Sequence, residues 1–177
     1  MRVITGAARG RRLREPVGSD IRPTTDQVKE ALFNIIQFDI EGRRVLDLFA
    51  GTGQLGIEAL SRGAAECVFV DADRTAQALI RENLAISKLQ GGRIVAGDSL
   101  DYLRRGGRFD LIFIDPPYHS DLAGKALESI KAFDILSEGG IIVCETGQEQ
   151  TLPEIYENPR SYRYGKIVLT VFRRTNS

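Results

Sequence analysis

The chain has 177 residues, enough for one domain with a sizeable core and too few for two full ones. Its 24 basic residues balance 24 acidic ones, so overall charge singles out no partner. There is no signal-peptide pattern and no apolar run long enough to span a bilayer, and the expected location is cytoplasmic.

Charge is unevenly placed at the front. Arg2, Arg9, Arg11, Arg12, Arg14 and Arg22 precede Thr24, against only Glu15 and Asp20. A basic arm or short β-hairpin over residues 1–23, set on a neutral domain over 24–177, points to local contact with a polyanion. Thr24 and Gln27 have capping-box spacing and predict a helix opening at Thr24, with Val28, Leu32, Ile35 and Ile36 as its apolar face.

From Arg44 on, strand-like and helix-like stretches alternate. The predicted strands are 44–49, 66–71, 92–96, 109–115, 139–145 and 166–173, each short and rich in Val, Ile, Leu or Phe. Helical spacing fills 74–88 and 121–133, and a helix-like stretch, Ile57 to Leu60, follows the first strand. This order predicts an α/β fold with a mainly parallel sheet and an antiparallel last strand closing a terminal hairpin. Between Gly147 and Arg163 no periodicity is clear. Cys67 and Cys144 each lie in an apolar stretch and read as small core residues of a reducing compartment, not as a disulfide.

Four motifs close successive strands. The first, Asp47 to Gly56 (DLFAGTGQLG), is a strand, a glycine turn and a helix start, where backbone can approach a ligand closely. Its GxGxxG spacing would equally suit a nicotinamide enzyme. The second is Val70-Asp71-Ala72-Asp73, about twenty residues on, where Asp71 can accept from both hydroxyls of a ribose and Asp73 can cap the next helix. The third, Gly97-Asp98-Ser99, offers a carboxylate to an adenine amino group or to a helix N-terminus. These three leave a dinucleotide and an adenosyl cofactor tied. The fourth, Asp115-Pro116-Pro117-Tyr118, breaks the tie. Two prolines remove two N–H donors and stiffen the backbone, so the Asp115 carboxyl and the Pro116 carbonyl stand as fixed acceptors. Tyr118 adds a flat face for stacking. Together they would orient an exocyclic amino group for attack on a methyl carbon.

DPPY at 115–118 matches the signature of amino-directed, S-adenosylmethionine-dependent methyltransferases, and with Phe49-Ala50-Gly51-Thr52-Gly53, Asp71 and Asp98 the chain resembles the Rossmann-like methyltransferase fold. The front, RVITGAARGR at 2–11, then RPTTD at 22–26 and EALFN at 30–34, is similar to the RsmD family, bacterial methyltransferases of guanine N2 in small-subunit (16S) ribosomal RNA. The match covers nearly the whole chain. Thr5 stands where the family often has a second glycine. The resemblance implies a seven-stranded sheet, a target at guanine 966 of that RNA and an assembled or assembling small subunit as partner; the expected state of the chain is a monomer. It implies cofactor contacts at Phe49, Ala50, Gly51, Thr52, Gly53, Asp71, Ala72, Asp98, Ser99 and Asp115, with Thr24 and Thr25 over the pocket. Asp115, Pro116, Pro117 and Tyr118 would act on the target base, and Arg2, Arg9, Arg11, Arg12 and Arg22 would hold RNA phosphates. His119, the sole histidine, is expected at the surface, and no His/Cys cluster has metal-ligand spacing. A DNA adenine or cytosine methyltransferase and a non-catalytic RNA-binding module on this fold are the competing readings; a dehydrogenase is the remote third.

Overall fold

The structure, a computed structural model, describes residues 1–18, 24–147 and 150–176. The apolar runs become strands β1 (Arg44–Leu48), β2 (Glu66–Asp71), β3 (Gly92–Ala96), β4 (Phe109–Ile114), β5 (Leu136–Gly147), β6 (Arg160–Tyr164) and β7 (Ile167–Arg173). Helices α1 (Asp26–Ile35), α2 (Gln54–Ser61), α3 (Arg74–Ser87), α4 (Ser99–Leu103) and α5 (Leu122–Ala132) lie between them. The strands form one sheet in the order β3-β2-β1-β4-β5-β7-β6, parallel except for β7, which pairs antiparallel with both β5 and β6.

Side chains alternate across this sheet. Val45, Phe69, Phe113, Val143 and Val171 pack with α1, α2 and α3 on one face. Leu46, Val68, Ile112, Ile142 and Phe172 pack with α4 and α5 on the other. Both faces are covered, which is why the central strands read as unbroken apolar runs. Cys67 and Cys144 are free and buried in these two layers.

Three boundaries differ from the sequence reading. Helix α1 is capped by Thr25, whose hydroxyl accepts from Val28 N at 3.3 Å; Thr24 is the residue before the cap and turns inward. Strand β5 begins at Leu136, ahead of the two glycines, because its pairing with β4 is interrupted by a bulge between Phe109 and Leu111. Strand β6 was unmarked in the sequence: RSYRY is short and largely polar, as suits an edge strand with one open side.

The front is a hairpin-like loop. Val3 N donates to Arg11 O and Leu13 N to Met1 O, with a single antiparallel bridge between Arg2 and Arg12. Val3, Ala8 and Leu13 are buried against the α1–α3 face, so this segment is part of the core as well as a carrier of arginines.

Candidate active site at the carboxyl edge of the sheet

Strand order reverses between β1 and β4, so their carboxyl ends diverge and leave a crevice. A cavity of about 680 Å³ opens there. Acidic residues share the α1 side of four neighbouring strands: Asp71 at the end of β2, Asp115 just after β4 and Glu145 in β5, with Asp47 of β1 two residues deeper, level with Phe69 and Phe113.

Asp71 holds the glycine loop in place. Its Oδ2 accepts from Gly51 N and its Oδ1 from Asp73 N, both at 2.9 Å. Asp47, deeply buried, accepts from Gly56 N at 3.1 Å, and burial pushes its carboxyl well above the usual range. Gly56 is where α2 touches the sheet: a Cβ there would sit 2.3 Å from the Phe69 ring. The loop itself needs left-handed backbone at Phe49 (φ 54°), Gly51 (φ 60°) and Gly53 (φ 80°). Phe49 adopts it without being glycine, and Ser99 Oγ accepts its N–H at 3.1 Å. Asn83, fully buried on α3, donates to Thr52 O at 2.9 Å. The Gln54 amide donates to Thr24 O at 3.0 Å, while its Oε1 is buried with no hydrogen-bond partner among the described residues.

Asp73 and Asp98 both act as N-caps, accepting from Thr75 N at 3.1 Å and Asp101 N at 3.0 Å. Each also lines the cavity. At the opposite wall the DPPY segment leaves the sheet, with Pro116 buried and Tyr118 39 % exposed at the mouth. Asp115 is pushed well above the usual carboxylate range by burial first and by the neighbouring Glu145 second. His119 is exposed, at φ 60°.

The cavity wall gathers Thr24, Phe49, Ala50, Gly51, Thr52, Asp71, Ala72, Asp98, Ser99, Asp115, Pro116, Pro117 and Tyr118, all candidate site residues of the sequence reading. Thr25 and Gly53 stand behind it: Thr25 caps α1, and Gly53 begins α2 against the Ile80 side chain. The sequence reading missed Asp47, Gln54 and Glu145. All three sit inside apolar or helical runs, and only the position of each at a strand end or helix start hints at a role. Arg2, Arg9, Arg11 and Arg12 are exposed on the hairpin, while Arg22 lies outside the described residues. The hairpin adjoins the cavity: Thr52 Oγ1 donates to Met1 Sδ at 3.7 Å. Among the described residues, no three His, Cys, Asp or Glu side chains are grouped to hold a metal, and no helix is long and apolar enough to cross a membrane.

The family described as conserved hypothetical protein 95 matches residues 1–173. The YlbH protein of Bacillus subtilis is 39 % identical, with 98 % of this chain and 99 % of that protein covered. Ribosomal RNA small subunit methyltransferase D of Escherichia coli K12 is 33 % identical, with 98 % of this chain and 90 % of that protein covered. The solved structure of yhhF from Escherichia coli superposes with a TM-score of 0.87 at 33 % identity, covering 100 % of this chain and 99 % of that one. The T. thermophilus 16S rRNA N2 G1207 methyltransferase, solved with AdoMet and guanosine, shares the fold at a TM-score of 0.74 and 23 % identity, over 89 % of this chain and 44 % of that one. The sheet is thus that of the Rossmann-like methyltransferases.

Proposed function

This chain belongs to the family described as conserved hypothetical protein 95 and is a methyltransferase, and we propose that it methylates N2 of a guanine in small-subunit ribosomal RNA, using S-adenosylmethionine. Within that reading we take guanine 966 as the target, on the resemblance to the RsmD family.

The cavity suits that cofactor on three counts. Its volume, about 680 Å³, lies within the range of small-molecule sites. The buried Gln54 Oε1, unpaired among the described residues, gives the wall an acceptor for a donor such as an ammonium group. The carboxylates of Asp71 and Asp98 both line the cavity. A carboxylate has about four lone-pair sites, so Asp71 retains capacity for ribose hydroxyls after accepting two backbone N–H groups. Asp98 likewise keeps capacity for the adenine amino group beyond its capping bond.

When bound, S-adenosylmethionine supplies a methyl group carried on a positively charged sulfur. The protein's task is then to aim the base. Tyr118 stacks on the guanine ring and fixes its plane. Asp115 and the Pro116 carbonyl accept the two N2 hydrogens, so the nitrogen lone pair turns toward the methyl carbon. Positioning of this kind is worth about 7–11 kcal/mol in well-oriented systems. A carboxylate at Asp115 also stabilises positive charge developing on N2. The exposed Arg2, Arg9, Arg11 and Arg12 would grip RNA phosphates beside the cavity, joined by Arg22.

The observation that carries this reading is that the DPPY segment and the glycine loop line one cavity, with Tyr118 partly exposed there. Tritiated S-adenosylmethionine incubated with small ribosomal subunits, naked small-subunit RNA and duplex DNA tests it. Label in the RNA of either ribosomal sample supports the reading. Label only in DNA would favour the DNA-directed alternative, and no label anywhere would favour a binding module.

A further inference from the structure

Glu145 has no part in the reading above, yet it joins three of the groups that do. It is 4 % exposed, and on β5 it stands one residue beyond the Ile114–Cys144 pair, beside Asp115 and on the same face of the sheet. Its Oε2 accepts from Thr24 Oγ1 at 2.8 Å and its Oε1 from the Tyr118 hydroxyl at 3.3 Å. The same Thr24 Oγ1 lies 3.2 Å from Asp115 Oδ2. One hydroxyl proton serves one carboxyl at a time, so the two acids compete for it.

The groups facing Asp115 include two acids, Asp47 from β1 and Glu145 from β5. Thr24 from the segment before α1 offers a hydroxyl, and the Cys144 thiol lies close by on β5. Adjacent carboxyls in such a setting share a proton instead of both ionising. Burial raises Glu145 as well. A packing role at this position would be met by Val or Ile, as at Ile141, Ile142 and Val143 on the same strand, without the cost of burying a carboxyl.

We propose that Glu145 is a positioning residue for methyl transfer: it anchors the Tyr118 hydroxyl and, through a proton shared with Asp115, sets the pH at which Asp115 offers a carboxylate to the target amino group. This rests on the reading of Asp115 as the acceptor for that group.

The test is Glu145→Gln. The amide oxygen still accepts a hydroxyl, and the amide nitrogen donates to Asp115, favouring its ionised form. The acid limb of the kcat profile for methyl transfer to ribosomal RNA is expected to move down by about one pH unit or more. Affinity for S-adenosylmethionine, read by calorimetry, stays near wild type. In an Asp115→Asn background the same change moves no limb. A uniform loss of kcat with the limb unmoved would reduce Glu145 to packing and overturn the proposal.

A second readout needs no activity. Carboxyls raised in the folded state support stability below their unfolded pKa, and that support is lost as pH rises through the folded value. Glu145→Gln removes half of the pair. Its melting temperature relative to wild type should therefore climb by about 3 °C or more between pH 5 and pH 8. A flat difference would refute the shared proton. A wild-type protein silent toward RNA would sink the acceptor reading instead, while the melting difference would still decide the carboxyl pair.

Discussion

Glu58→Ala should unfasten the arginine-bearing hairpin and cost the whole domain stability. Glu58 is fully buried on α2. Its Oε1 accepts from Ile4 N at 2.8 Å, and its Oε2 accepts from Thr5 N at 3.1 Å and Arg62 Nε at 3.0 Å. Lys29 Nζ, also fully buried, lies 3.6 Å away and donates to Arg2 O at 2.6 Å. Truncation strands the Lys29 ammonium and two hairpin amides. Removing one partner of a buried ion pair costs about 3–5 kcal/mol. For a chain of 177 residues each kcal/mol moves the melting temperature by about 2–4 °C. A fall of roughly 6–20 °C is expected in a thermal melt followed by circular dichroism. The pH dependence checks the cause. Burial already holds Lys29 below its ordinary pKa, and an unpaired ammonium there destabilises the fold until it loses its proton. The deficit should therefore narrow as pH rises from about 7 to about 10. A loss under about 2 °C, or one that does not change with pH, would show that Glu58 does not hold the hairpin through charge.

Asp71→Asn places an NH₂ group where the carboxylate accepts from Gly51 N and Asp73 N, so S-adenosylmethionine binding by calorimetry should weaken by about tenfold or more. Asp115→Ala should lower methyl transfer by at least about a hundredfold while leaving cofactor affinity nearly unchanged; near-normal turnover would remove Asp115 from the mechanism. Arg9→Ala and Arg12→Ala, both at exposed positions, should each flatten the salt dependence of RNA binding by about 0.7–0.9 in log–log slope, read by filter binding.

The parts of the fold that are buried on both faces were the most legible. LIFI at 111–114 and VFV at 68–70 leave no alternative to inner strands, and DPPY marks the carboxyl end of β4 as the glycine turn marks that of β1. Legibility fell where one residue type serves two purposes. Thr24 and Thr25 are equally good caps in sequence; Thr25 took that place because Thr24 is drawn inward to Glu145. Asp47 and Glu145 were hidden because each sits in an apolar stretch, and only the register of neighbouring strands shows Glu145 level with Asp115 and Asp47 on the same face two residues deeper. The front was read correctly as basic and hairpin-like. Its attachment depends on residues more than fifty positions away, Glu58 and Ser61, which accept the Ile4, Thr5 and Ala8 amides. Local pattern carries no trace of such partners.

The most direct measurement is nucleoside mass analysis of small-subunit RNA after incubation with the protein and methyl-labelled S-adenosylmethionine. N2-methylguanosine carrying the label, present with wild type and missing with Asp115→Ala, is the expected result. Label on any other nucleoside, or equal label from both proteins, would contradict the assignment of the DPPY wall as the place where guanine N2 is aimed.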